Sequence, residues 1–370
     1  MKYYIIAGEA SGDLHGSNLM KALYEEDPNA EIRFWGGDLM QDVGGTLVKH
    51  YKELAFMGFI EVIFNLKTIL SNIKICKNDI AQFKPDVIIY IDYPGFNMRI
   101  AKWAKEKGYK NHYYISPQIW AWKENRITAI KHDIDKMYVI LPFEKDFYEV
   151  KHQFPVEFVG HPLIDAIYNQ SSLVANTFRT ENHLSEKPII AILPGSRKQE
   201  ISKMLSVMLS VVKDFPDYQF VIAGAPSQEL SFYQQFISGE NIKFVSNKTY
   251  SLLRNSTAAL VTSGTATLET ALFKVPEVVC YKGSWASYQI AKRIITLKYI
   301  SLVNLIMDRE VVTELIQDDC SSKRIREELT KILEPNYRKM LLENYDLLEE
   351  KLGGIGASKK TAHLIVQAIK

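Results

Sequence analysis

Cysteine is scarce in this chain, and its three copies lie far apart at Cys76, Cys280 and Cys320. An odd, scattered set supplies neither a disulfide framework nor the paired spacing of a zinc knuckle, so a reducing, cytoplasmic compartment is expected. Net charge is also nearly absent: 45 Lys and Arg against 43 Asp and Glu leave +2. That gives no electrostatic case for nucleic acid as a partner. The first residues run straight into the strand-like Lys2–Ala7 without a basic region, an apolar core and a cleavage site, so no secretion signal is read. No apolar run reaches the roughly 20 residues of a membrane-spanning helix. The GxxxxGK[ST] and GxGxxG fingerprints are missing, and the eight histidines show no HExxH or other ligand spacing. Asp133-Ile134-Asp135 spells DxD but precedes a strand instead of ending one, and is read as solvated loop. We expect no metal and no cofactor.

What is present is a core-forming composition, 47% apolar and 24% charged, in a chain of 370 residues, long enough for two domains. Its most informative stretch is Ile189–Leu205, IIAILPGSRKQEISKML. An apolar strand stops at Pro194-Gly195-Ser196-Arg197, and Ile201, Met204, Leu205 and Met208 then recur at helical spacing. A helix start offers unpaired N–H groups and the positive end of the peptide dipoles. Ser196 can cap it, and Arg197 suits bidentate phosphate contact. A diphosphate seat and an ordinary strand–helix turn both fit this segment taken alone. A second such turn, Ser263-Gly264-Thr265-Ala266-Thr267-Leu268-Glu269, follows a later strand, and two in one half-chain favour the phosphate reading. Glu269, further along, can accept from both hydroxyls of a ribose or be a plain helix glutamate.

The front half repeats the rhythm. Lys2–Ala7 leads into a turn where Gly8, Gly12 and Gly16 fall every four residues among Glu9, Ser11, Asp13 and His15. Two carboxylates there suit sugar hydroxyls better than phosphate, while Asp13 also reads as a helix cap. Leu54–Ile73 carries one narrow polar stripe, Glu61, Asn65, Thr68 and Asn72, on an otherwise apolar helix. It is either buried on most sides or dips into a membrane surface or holds a lipid chain. Between Lys67 and Lys110 nine Lys or Arg face four Asp or Glu, a balance that anionic head groups favour. Val87–Ile91 is a continuous apolar strand ending at Asp92, a turn or cap aspartate or, with a hydroxyl in reach, a general base. The loop Ser116–Trp122 puts Trp120 and Trp122 beside a polar turn, for stacking on a sugar or packing beneath the loop. Strands at Ile32–Trp35, His112–Ile115, Lys136–Leu141 and Val156–Val159 complete about six. Gly160-His161-Pro162 and the polar run Asn169–Lys187 mark a boundary. Strands at Ile189–Leu193, Gln219–Ala223, Ile242–Val245, Ala258–Thr262 and Val278–Tyr281 then follow, with helices near Asn336–Leu352 and Thr361–Ile369 closing the chain. The alternation predicts an α/β fold with parallel sheets.

Taken together, AGEASGDLHG (Ala7–Gly16), FMGFIEV (Phe56–Val62), PDVIIYIDYPGFN (Pro85–Asn97), YISPQIWAWKENR (Tyr114–Arg126), LPFEKDFY (Leu141–Tyr148), FVGHPLID (Phe158–Asp165), LPGSRKQEI (Leu193–Ile201), SGTATLE (Ser263–Glu269) and SLVNLIMDREVVTELIQDDC (Ser301–Cys320) resemble one family, lipid-A-disaccharide synthase. The tryptophan-bearing segment beside EASGD is the specific part; SGTATLE-like turns occur in several sugar-nucleotide enzymes. The resemblance implies two Rossmann-like domains of GT-B type facing each other across a cleft. Residues 1–168 would be the acceptor and lipid side, completed by a C-terminal helix at 357–370, and 185–350 the UDP-sugar side. It implies an inverting, metal-independent transfer of 2,3-diacylglucosamine from UDP to 2,3-diacylglucosamine 1-phosphate (lipid X), giving a β-1,6-linked disaccharide and UDP. On this reading Asp92 is the base, with Glu9 or His15 as rivals. Donor contacts fall to Ser196, Arg197, Ser263, Gly264, Thr265, Thr267, Glu269, Asn304, Glu310 and Gln317. Acceptor and lipid contacts fall to Ser11, Asp13, Met57, Phe59, Ile63, Leu66, Asn97, Gln118 and Trp120. The acyl-bearing substrates favour the membrane or acyl-chain reading of the apolar stretch, and with it a peripheral position on the cytoplasmic face of the inner membrane. Dimers that exchange C-terminal segments are known in the family; here the stretch after Cys320 matches indistinctly. A UDP-sugar 2-epimerase and a non-catalytic sugar-nucleotide or lipid-binding protein stand as alternatives.

Overall fold

The computed structural model describes residues 1–54, 66–170, 177–225, 228–237, 239, 241–283 and 298–370, the side chains of Leu66 and Gln170 excepted. The expected contacts Met57, Phe59 and Ile63, and the side chain of Leu66, lie outside the described residues. The chain forms two compact units, Met1–Ala166 with Leu352–Lys370, and Ile167–Lys351.

The first unit is built on seven strands, β1 (Lys2–Ala7), β2 (Glu31–Gly36), β3 (Thr46–His50), β4 (Val87–Ile91), β5 (Asn111–Tyr114), β6 (Lys136–Val139) and β7 (Glu157–Phe158). They lie in the order β3-β2-β1-β4-β5-β6-β7, every neighbouring pair parallel. Period-two alternation explains why β1 and β4 read as unbroken apolar runs. Tyr4, Ile6, Ile88 and Tyr90 enter one core, whereas Tyr3, Ile5, Val87 and Ile89 enter the other. Each face is covered, so neither parity can be polar. Helix Ala10–Glu26 lines the second core, and so does the last helix of the chain, Ala357–Ile369, through Ala362, Ile365 and Val366. Asp165 fastens that last helix, accepting from the Gly356 and Ser358 N–H groups at 2.7 and 2.8 Å. The helix begins four residues before the apolar periodicity does, because its first turn is set by this cap.

The second unit carries β8 (Ile189–Leu193), β9 (Gln219–Gly224), β10 (Ile242–Ser246), β11 (Ser256–Thr262), β12 (Glu277–Tyr281) and β13 (Glu314–Ile316) in the order β10-β9-β8-β11-β12-β13, again all parallel. Both sheets are therefore doubly wound, and in each the order reverses beside the first strand. Two strands have no counterpart in the sequence reading. Both β3 and β13 are sheet edges with mixed polarity, TLVKH and ELI, so no apolar run announces them. No helix among the described residues is long and apolar enough to cross a membrane.

Candidate functional site

In an open parallel sheet, ligands bind beyond the carboxyl ends of the strands where the order reverses. In the second unit that point lies between β8 and β11, and both glycine turns open there. A cavity of about 450 Å³ is lined by Pro194, Gly195, Ser196, Arg197 and Glu200 after β8, by Ser263, Gly264, Thr265 and Glu269 after β11, and by Ala223–Ala225 and Thr249. The helices that start at Lys198 and Thr265 begin beside this space, their capping residues Arg197 and Gly264 both lining it. Gly195 holds φ +102°, a left-handed conformation that costs a side-chain-bearing residue, so the tight turn requires glycine. Glu269 is largely buried, and burial holds its carboxyl above the usual range while the Tyr250 hydroxyl donates to it at 3.3 Å. Thr262 adds a buried hydroxyl with no hydrogen-bond partner among the described residues, on the same cavity wall. Sequence reading missed it, since a threonine ending an apolar strand looks like core.

The structure brings together Ser196, Arg197, Ser263, Gly264, Thr265 and Glu269. Of the remaining expected donor contacts, Thr267 and Asn304 are engaged elsewhere. Thr267 spends its hydroxyl on the Gly264 carbonyl at 2.8 Å, which steadies the turn. Asn304 is fully buried: its oxygen accepts from the Val311 and Val312 N–H groups, and its amide donates to the Val312 carbonyl and to Glu314. It shapes the loop before β13 and has no hydrogen-bonding capacity left for a ligand. Glu310 is exposed on that loop, and Gln317, at φ +54°, follows β13 with a buried amide nitrogen that has no hydrogen-bond partner among the described residues.

In the first unit the reversal lies between β1 and β4, where Gly8–Glu9 and Asp92–Tyr93 sit. Tyr93 packs over Gly8 so closely that a Cβ there would come within 2.2 Å of its ring. Asp92 and Tyr93 both adopt positive φ, 44° and 49°. They are held by the Tyr113 hydroxyl on the Asp92 carbonyl at 2.5 Å and by the Asn97 amide on the same oxygen at 2.7 Å. Asn97 is itself fully buried, so it braces the Asp92 backbone. Burial, with the Glu9 charge added, pushes the Asp92 carboxyl up to about 6. Glu9 and Ser11 are exposed at the start of helix Ala10–Glu26. His15, two turns in, faces Asp165 and His161; burial pushes it down to about 4, which keeps it neutral at pH 7. Asp13 is a structural cap, though of a helix other than its own: its oxygens accept from the N–H groups of Gly37, Leu39 and Met40.

The aromatic loop after β5 hangs on a residue that sequence reading passed over. Glu144, 1% exposed, accepts from Ser116 Oγ at 2.5 Å, Trp120 Nε1 at 3.1 Å and the Ile140 and Leu141 N–H groups. Trp120 packs edge-on against Phe143, Gln118 is exposed, and Trp122 stands half in solvent under the Lys123 ammonium. Asp133 and Asp135 sit at the opposite, amino end of β6, paired with His132 and Lys105. No group of three or more His, Cys, Asp or Glu among the described residues is placed to hold a metal ion.

The family model for lipid-A-disaccharide synthetase matches residues 3–366. The chain is 37% identical over 367 residues to the lipid-A-disaccharide synthase of Coxiella burnetii, covering 98% of this chain and 96% of that one. It is 38% identical over 375 residues to that of Idiomarina loihiensis, covering 98% and 97%. Among solved structures, UDP-GlcNAc 2-epimerase from Neisseria meningitidis bound to UDP-GlcNAc superposes with a TM-score of 0.68 at 14% identity, covering 100% of this chain and 99% of that one. The S. aureus MnaA–UDP co-structure gives 0.70 at 12%, covering 100% and 96%. At that distance the likeness is one of fold: two Rossmann-like domains of the GT-B type.

Proposed function

The chain belongs to the lipid-A-disaccharide synthetase family, and from that premise we propose how its residues divide a hexosyl transfer. The reaction moves 2,3-diacylglucosamine from UDP to the 6-hydroxyl of lipid X, with inversion at the anomeric carbon. The bond from that carbon to the diphosphate breaks as the bond to the acceptor oxygen forms. The acceptor proton goes to a base, and the departing diphosphate must be stabilised.

The second unit is the donor side. One observation carries this assignment: two helix starts and Arg197 line a single cavity at the point where the strand order reverses. N–H groups fixed before the reaction stabilise the charge growing on UDP without reorganising. Glu269, at the wall of that cavity, is the ribose acceptor. The first unit is the acceptor side, with Asp92 as base. A carboxyl held near 6 is mostly ionised at pH 7.5 yet still a competent proton acceptor. Glu9 is its electrostatic neighbour, and His15 lies beneath the turn as packing. Trp120 and Gln118 border the acceptor sugar, and the apolar stretch ending in helix Leu66–Phe83 receives acyl chains at the inner-membrane surface. Leu70 and Ile75 are exposed on that helix, beside Lys67, Lys74 and Lys77.

Purified protein given the diacylated UDP donor and lipid X should release UDP and the disaccharide in equal amounts. Absence of both sinks the assignment, and conversion of UDP-N-acetylglucosamine to its 2-epimer would replace it. Crystals soaked with UDP should carry its phosphates between Arg197 and Ser263–Thr265.

A further inference from the structure

An acid occupies the place proposed for the diphosphate. Glu200 is the third residue of helix Lys198–Leu209, where a glutamate ordinarily reaches back to the N–H of the capping residue. Here the cap is Arg197, and the carboxylate goes one residue further. Its Oε2 accepts from the Ser196 N–H at 3.3 Å. It also lies over the glycine of the turn, for a Cβ built on Gly195 would meet Oε2 at 2.3 Å. The carboxylate thus covers the exposed backbone of the turn, inside the cavity that Arg197 and Thr265 also line. A diphosphate arriving at the same N–H groups has the same attraction to the helix start and the opposite relation to Glu200. Two anions cannot share one donor set without mutual repulsion.

We infer that Glu200 is the resident anion of the donor seat: its carboxylate holds the Gly195–Ser196 backbone until the donor's diphosphate displaces it, and returns as UDP departs. The inference rests on the reading of this cavity as the UDP site. Glu200 is in this sense a specificity-determining residue. It raises the threshold for any anion entering the seat, so the uridine and sugar contacts of the full donor are needed to move it, and the product UDP is held less tightly.

Calorimetric titration of the full chain with UDP and with inorganic pyrophosphate tests this. Glu200→Gln keeps a hydrogen-bond acceptor of the same length but removes the charge. It should bind both ligands about five- to tenfold more tightly at low salt, with the gain shrinking as screening rises. Glu200→Asp, one methylene shorter, should lie between Gln and the wild type. Equal or weaker UDP binding by a folded Gln variant overturns the inference. If only the Asp variant folds, its UDP affinity decides in the same way. If neither folds, the carboxylate belongs to the helix start alone and the inference falls. A wild-type chain that binds no UDP removes the donor-seat reading instead, a separate failure.

Discussion

Asp92 and Tyr93 occupy consecutive left-handed positions, a conformation that side-chain-bearing residues keep only when their surroundings impose it. Tyr113, Asn97 and Gly8 are those surroundings. The result presents a carboxylate at the strand end in partly apolar surroundings, beside a second negative charge. Turnover per donor should therefore climb as pH rises through about 6 and level off above it, as Asp92 loses its proton. Asp92→Asn should cut kcat roughly 10²- to 10⁴-fold and leave UDP affinity unchanged, since the groups proposed to hold the donor belong to the other unit. The sign on stability is opposite to that on catalysis. Burial pushes the folded carboxyl up to about 6 from the unfolded value of 3.8, so its contribution is greatest below pH 3.8 and is lost as pH rises through about 6. The charge then costs about 3 kcal/mol at most at neutral pH. Asp92→Asn should accordingly melt higher than wild type at pH 7.5 and alike at pH 3.5, in paired thermal scans.

At the level of elements, the aromatic loop Ser116–Trp122 has two short backbone bonds of its own, Ile119 N–H to Pro117 and Ala121 N–H to Gln118, and is tied to the fold by the Tyr148 hydroxyl on the Pro117 carbonyl and by one buried glutamate. Glu144→Ala would strand four donors, at a cost of about 2–4 kcal/mol, which urea titration would measure. If the loop borders the acceptor, the KM for lipid X rises in that variant while UDP affinity holds. The apolar stretch leads to a second expectation. Replacing Phe59, Ile63, Leu66 and Leu70 with serine should abolish flotation with anionic vesicles and preserve the far-UV spectrum. Loss of the spectrum would mean those side chains serve the core. The loop and the greasy stretch were both legible from composition. The glutamate was not, because LPFEKDFY gives no sign that Glu144 points inward; only the meeting of the β5 and β6 ends reveals its four donors.

On the scale of the molecule, the first unit is sewn shut by the chain's last helix. Deleting residues 357–370 would remove Ala362, Ile365 and Val366 from the core they share with Leu19 and Leu23, and would take the Ser358 N–H from Asp165, leaving it only that of Gly356. We expect the deletion to lower the melting transition of the first unit by many degrees, with UDP binding retained by the second. Loss of UDP binding in the same variant would tie the two units' stability together.

Parallel strands buried on both faces leave continuous apolar runs, and glycine turns leave their composition at the strand ends. The sequence alone therefore determined the doubly wound α/β class, the two glycine turns that line one cavity and the position of Asp92. Residues whose partners are distant in the chain carry no such local trace. The three-dimensional fold alone decided that Asn304, Asn97 and Asp13 serve the backbone, that Glu144 holds the tryptophan loop, and that Glu200 lies over the Gly195–Ser196 turn. A polar side chain has a limited number of hydrogen bonds to give, and only its neighbours in space determine whether any remain for a ligand.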